Sequence, residues 1–201
     1  MEIPQRVDRR CQVPCVALLP CTAMIDTTPI PPTRVLLVGM MGSGKSSAGR
    51  ALAALTGWPF IDNDALVEAA TGRTARQLLA DGGEAAMRDA EAAALRKGLA
   101  AQLPAIVATA AGTVLDQDNR RLIDDGGFVV WFRARPEVLA SRAAGAAHRP
   151  WLDDDPVAWF RESAAEREAL YAEVSDLVID TEGTRPPETA RRIAEALRAG
   201  G

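Results

Sequence analysis

Lysine is almost missing from this chain. Lys45 and Lys97 are the only two, so 21 of the 23 basic residues are arginine. A lysine kept against such a bias is expected to work as a compact point charge, which the planar guanidinium does not imitate. Histidine occurs once, at His148, in a stretch that reads as exposed loop rather than catalytic machinery. Cysteine stands only at Cys11, Cys15 and Cys21. That spacing contains no CxxC pair and has no histidine nearby, which argues against zinc, and an odd number suits a disulfide framework poorly. The remainder of the chain lacks cysteine, so nothing calls for an oxidising compartment, and a cytoplasmic location is expected. No apolar run is long enough to span a bilayer, so a membrane is not expected as a partner. The net charge of −4 lacks the basic excess of a nucleic-acid binder. What is present is the balance of a globular protein, 48% hydrophobic and 25% charged over 201 residues. One domain is the expectation.

Residues 1–33 differ from the rest. They carry Pro4, Pro14, Pro20, Pro29, Pro31 and Pro32 without helical or strand period. Pro14 and Pro20 interrupt the one apolar stretch, Val13 to Leu19, which argues against a signal peptide. A disordered leader is expected, with Met24 as a candidate alternative start. From Arg34 onward short apolar runs alternate with helical patterns. Strands are expected at 34–38, 59–62, 105–108, 128–132 and 177–180. Helical patterns cover 45–56, 65–70, 75–80, 84–101, 118–124, 136–144, 156–171 and 187–199. Such alternation predicts an α/β fold of three layers, a five-stranded parallel sheet with helices on both faces. Residues 145–156 have no period and are expected to form a mobile lid loop within a domain spanning 34–201.

The most specific motif is Gly39-Met40-Met41-Gly42-Ser43-Gly44-Lys45-Ser46, which fits G-x-x-x-x-G-K-[ST]. An apolar strand runs into it and a helix follows, the context in which this motif is a phosphate-binding P-loop rather than a chance glycine turn. Backbone N–H groups from Gly42 to Ser47 cradle phosphate oxygens, Lys45 reaches the β and γ phosphates, and the Ser46 hydroxyl ligates Mg²⁺. ATP and Mg²⁺ are the implied cofactors, and Lys97-Gly98-Leu99 offers no guanine signature.

Beyond the loop stand Phe60-Ile61-Asp62-Asn63-Asp64, Thr71-Gly72-Arg73, Gly83-Glu84-Ala85-Ala86-Met87-Arg88-Asp89-Ala90-Glu91, Arg149-Pro150 and Arg167-Glu168-Ala169-Leu170-Tyr171. In order and spacing this series resembles the shikimate kinase family, from about Val35 to the C-terminus. The resemblance implies a P-loop kinase fold and transfer of the ATP γ-phosphoryl to the 3-hydroxyl of shikimate, in the pathway to chorismate and the aromatic amino acids. It would give Asp62 to the Mg²⁺ shell and Asp64 to the acceptor hydroxyl as orienter or base. An N-cap is the other reading of Asp64. Arg88 and Arg167 would clamp the acceptor carboxylate bidentately; an ordinary helix ion pair with Glu84 and Glu91 is the other reading of Arg88. Arg149 would close over the transferring phosphoryl group. Arg142 and Pro186 would sandwich the adenine, and the N–H groups of Ala111 and Gly112 would face the acceptor.

The sequence departs from the family pattern at four places. Thr109-Ala110-Ala111-Gly112 stands for T-G-G-G, Leu79 and Met87 for two phenylalanines, and Ala169 for proline. Ala111 keeps its N–H but adds a methyl, which costs about 1 kcal/mol or more if the position needs φ above zero. Three of these changes touch the acceptor half. They leave open a related kinase for another hydroxy acid or polyol, of gluconate or cyclitol type. A non-catalytic nucleotide-binding module is the alternative from a different class, opposed by Lys45, Ser46, Asp62 and Arg149.

Overall fold

A computed structural model describes Ile30 and residues 33–143 and 155–199. The expected leader, apart from Ile30 and Thr33, and nearly all of the lid loop, with His148 and Arg149, lie outside the described residues.

The strands are β1 (Arg34–Val38), β2 (Phe60–Asp62), β3 (Ala105–Ala108), β4 (Phe128–Arg133) and β5 (Leu177–Asp180). The helices are α1 (Lys45–Thr56), α2 (Asn63–Thr71), α3 (Ala75–Leu99), α4 (Gln117–Gly126), α5 (Pro136–Ala143), α6 (Pro156–Val174) and α7 (Pro186–Ala199). All strands pair in parallel, in the order β2-β3-β1-β4-β5. β1 is therefore central, and its apolar run is explained by burial on both faces.

The pleat divides the core in two. Leu36, Val38, Val107, Val129 and Trp131 point to one face, where Leu95 of α3, Ile123 of α4, Leu139 of α5 and Phe160 of α6 cover them. Val35, Leu37, Ile106, Val130 and Ile179 point to the other, covered by Leu52 of α1 and Ile193 of α7. The two sets alternate along each strand, as a period of 2 requires. Helices on both faces of one parallel sheet are the three layers that the alternating pattern predicts.

Two expectations change in detail. The separate helical patterns at 75–80 and 84–101 form a single span, α3, interrupted only by Gly83 at φ 74 and ψ −176. Glycine alone takes that backbone cheaply, so the chain re-aims without leaving the helix direction for long. A 3-10 turn, Thr113–Leu115, follows β3 where no element was expected; it is too short to carry a period. The described tryptophans, Trp58, Trp131 and Trp159, behave as packing residues. Trp131 is buried, and Trp58 and Trp159 pack against the two core clusters. Among the described residues, no helix is long and apolar enough to cross a membrane.

Candidate active site

The carboxyl ends of β1, β2 and β3 open to one side, the place where open α/β sheets hold ligands. From the end of β1 the chain passes into the glycine loop. Gly39, Gly42 and Gly44 have φ of 135, 76 and 97, so each takes a conformation that L side chains rarely adopt. A Cβ on Gly39 would also meet the Phe132 carbonyl. Gly44 caps α1, whose first turn begins with Lys45, Ser46 and Ser47. Lys45 folds back over the loop, its Nζ donating to the carbonyls of Gly39 at 2.8 Å and Met40 at 3.0 Å. The loop is thus closed around its own lysine, with Ser47 exposed on α1 and Ser43 buried in the turn.

Asp62 stands at the end of β2 and accepts two hydrogen bonds. Its Oδ2 accepts from Ser46 Oγ at 2.8 Å, which brings the two expected metal-shell residues together. Its Oδ1 accepts from the Asp64 N–H at 3.2 Å. Asp62, not Asp64, is therefore the N-cap of α2. The capping role weighed for Asp64 is corrected: an Asx bond to the residue two ahead needs the carboxylate at the strand end. Asp64 sits in the first turn of α2 and is exposed. Among the described residues, no cluster of three His, Cys, Asp or Glu side chains stands ready for a metal ion. One hydroxyl beside one carboxylate suits Mg²⁺, which takes its other ligands from phosphates and water.

Arg88 lies beyond the Gly83 break on α3. Its Nη1 donates to Glu91 and its Nη2 to Glu84, each at 2.9 Å. The helix ion pair read from the sequence is thus real. It does not exhaust the residue, because the guanidinium also lies against the loop after β3. A Cβ on Gly112 would overlap it. Gly112 has φ −87 and ψ −4, so it is glycine for space and not for backbone freedom. Gly112 is thus a crowded position of this loop, and the chain has glycine there. Ala111 itself is half-buried.

Arg167, on α6, is 8% exposed. Its Nη1 is 3.9 Å from Met40 Sδ. Its Nε lies 3.3 Å from Glu166 but makes no hydrogen bond there, and is left buried without a hydrogen-bond partner among the described residues. Such a donor is costly unless a ligand engages the guanidinium.

The charges of this half act on one another. Burial pushes the Glu91 carboxyl above its ordinary value; Arg88 opposes the shift, Asp64 adds to it and Arg167 reduces it. Burial works against the Arg88 charge too, but Glu91 and Glu84 outweigh it and hold the guanidinium above its usual value. Asp64, Arg88, Glu91 and Arg167 therefore form one electrostatic neighbourhood. Leu79 and Met87, half-buried on α3, belong to the same helix as Arg88.

Arg142, on α5, is held by the loop after β5. It donates to the Thr181 carbonyl at 2.7 Å and hydroxyl at 3.1 Å, and more weakly to the Gly42 carbonyl at 3.4 Å. The arginine ties the phosphate loop to the segment leading to Pro186, the first residue of α7. An open depression lined by Gly183, Arg185, Pro187, Glu188 and Arg191 adjoins that turn. Arg149 lies outside the described residues.

Sequence reasoning gave no role to Tyr171, Met40 or Thr181. The signal for Tyr171 is its position four residues after Arg167, which puts both on one helix face. Thr181 carries no such signal, because its partner Arg142 is brought to it only by folding.

The shikimate kinase family model matches residues 41–198. A shikimate kinase of Halorhodospira halophila is 43% identical over 168 residues, covering 83% of this chain and 94% of its own length. One from Symbiobacterium thermophilum is 39% identical, over 83% of this chain and 97% of its own. Among solved structures, a shikimate kinase from Acinetobacter baumannii in complex with shikimate superposes with a TM-score of 0.80 at 29% identity, over 85% of this chain and 95% of that one. A gluconokinase from Sinorhizobium meliloti shares the fold at a TM-score of 0.57 and 23% identity.

Proposed function

This chain belongs to the shikimate kinase family, an ATP-dependent kinase acting on a shikimate hydroxyl, and from that membership we propose how its own residues divide the work. The observation that carries the proposal is the double use of Asp62. One oxygen bonds Ser46 of the donor loop and the other bonds the backbone of Asp64 at the acceptor. Donor and acceptor halves thus meet at one carboxylate.

On the donor side, Gly42, Ser43, Gly44, Lys45, Ser46 and Ser47 hold the ATP phosphates, and Arg142 and Pro186 flank the adenine. Lys45 leaves the Gly39 and Met40 carbonyls for the β and γ phosphates. Mg²⁺ held by Ser46, and by Asp62 directly or through water, would neutralise charge on those phosphates. On the acceptor side, Arg88 and Arg167 grip the shikimate carboxylate, and Ala111 and Gly112 face the ring. Asp64 orients the 3-hydroxyl and takes its proton. The hydroxyl oxygen forms a bond to the γ-phosphorus as the bond to the bridging β–γ oxygen breaks and ADP leaves. There is little covalent work for the protein, so positioning and charge neutralisation supply the rate. Arg149, on the motif alone, closes over the transferring group. The proposed setting is a monomer in the cytoplasm, with neither nucleic acid nor membrane as partner; the net charge of −4 supports the former.

ADP release from Mg-ATP tests the reading, with shikimate, gluconate and quinate as acceptors. Stimulation by shikimate alone, lost in Lys45→Ala and Arg88→Ala, is expected. Turnover of gluconate or quinate with shikimate inert would overturn the acceptor assignment and turn attention to Leu79, Met87 and Ala111.

A further inference from the structure

We infer that Tyr171 is a positioning residue for phosphoryl transfer, its hydroxyl setting the peptide between Ala111 and Gly112 and so the direction in which that loop offers its N–H groups. The inference rests on the kinase reading and adds a residue to it. Tyr171 is 1% exposed. Its hydroxyl donates to the Ala111 carbonyl at 2.6 Å. The same hydroxyl lies 3.8 Å from Met40 Sδ, and the ring stacks on Trp131 with centroids 5.8 Å apart. The phenol is therefore held by the sheet and the phosphate loop while it holds the loop after β3. Burial raises its pKa far above the ordinary tyrosine value, so it stays a protonated donor through any assay range.

The rest follows from peptide geometry. A trans peptide is planar, with C=O and N–H pointing in opposite directions. Drawing the Ala111 oxygen toward α6 turns the Gly112 N–H away from α6. Among the described residues, the N–H groups of Ala111 and Gly112 have no backbone acceptor. Gly112 is buried, and a buried N–H without a partner is rare unless a ligand completes it. Its α-carbon already lies against the Arg88 guanidinium. Met40 adds a link in the other direction, since its sulfur touches Tyr171 and Arg167 while its carbonyl accepts from Lys45. One tyrosine thus sits where the ATP loop, the acceptor arginine and the post-β3 loop meet.

Tyr171→Phe in the full chain keeps the ring and removes only the hydroxyl. Wild-type turnover of shikimate comes first, because its absence strikes the acceptor reading and not this one. The variant is expected to raise the shikimate KM about fivefold and lower kcat about tenfold, with the ATP KM unchanged. Ala111→Gly should enlarge that loss, because glycine lets an unheld peptide turn further. A lower Tm with kcat and both KM values intact would overturn the inference, as would effects of the two substitutions that simply multiply, or a rise in the ATP KM alone. A second readout needs no variant. Tyr171 is the only tyrosine in the chain, so fluorotyrosine incorporation gives one ¹⁹F resonance. It is expected to shift on saturation with shikimate; an unmoved resonance in an active enzyme would sink the proposal.

Discussion

Gly112 and Glu91 show how tightly single residues set Arg88. Gly112→Ala would drive a methyl into the guanidinium, while φ −87 leaves the backbone itself unstrained. The expected result is a shikimate KM raised about tenfold or more with the ATP KM unchanged, in steady-state assays varying each substrate in turn. Glu91 has the opposite problem, a charge carried where water is scarce. Burial lifts its folded pKa above the ordinary 4.5, against the pull of Arg88. A carboxyl raised on folding contributes stability that is complete below the unfolded pKa and is lost as pH rises through the folded value. Wild type should therefore lose stability relative to Glu91→Gln as pH climbs from about 4 toward neutrality. Urea unfolding across that range checks the sign. A wild type that gained on the variant instead would mean that attraction to Arg88 outweighs burial.

Individual elements separate stability from chemistry. α3 opens with a capping box, in which Thr74 accepts from the Gln77 N–H and the Gln77 side chain accepts from the Thr74 N–H. The turn satisfies donors that would otherwise face water. Arg88 and Glu91 lie past the break at Gly83, so the first half of the helix is not their only support. Thr74→Ala should cost about 1 kcal/mol of stability in thermal or urea unfolding and leave kcat unchanged. A fall in kcat would mean that the two halves of α3 move as one. α1 supports the site in a different way. Gly49 has no space for a Cβ, because the Phe60 ring packs against it. The helix that starts at Lys45 is thereby pressed against the strand that ends at Asp62, which keeps Ser46 within bonding distance of that carboxylate.

For the molecule as a whole, the described core lies almost entirely in the residues after 33. Among the described residues, both clusters are built from the strands and helices after residue 33, and Ile30 packs against the cluster under α1 and α7. A chain beginning at Thr28 should keep kcat and both KM values within about twofold, with an unchanged Tm. Loss of activity on that deletion would give residues 1–27 a part in the site. The same architecture explains the two-sided site. β1 runs into the glycine loop, while β2 and β3 end beside it with Asp62 and the loop to Gly112. Neighbouring parallel strands present their carboxyl ends at one level, so residues far apart in the chain arrive together.

Much of this was legible in the chain. Apolar runs of strand length alternating with helical periods dictate a parallel sheet covered on both faces, because both sides of each strand must be buried. The glycine loop is legible for a local reason: its backbone needs residues that tolerate positive φ, and Gly39, Gly42 and Gly44 are written at those positions. Ordered motifs also gave the family. Other features were not legible, since they depend on contacts across long stretches of sequence. That Asp62 rather than Asp64 caps α2 depends on where β2 ends. That Gly112 is crowded depends on an arginine from α3. The Tyr171 bond to Ala111 joins residues 60 apart. Local sequence determines which conformations each segment prefers; only packing of α3 and α6 against the same sheet decides which side chains share a site.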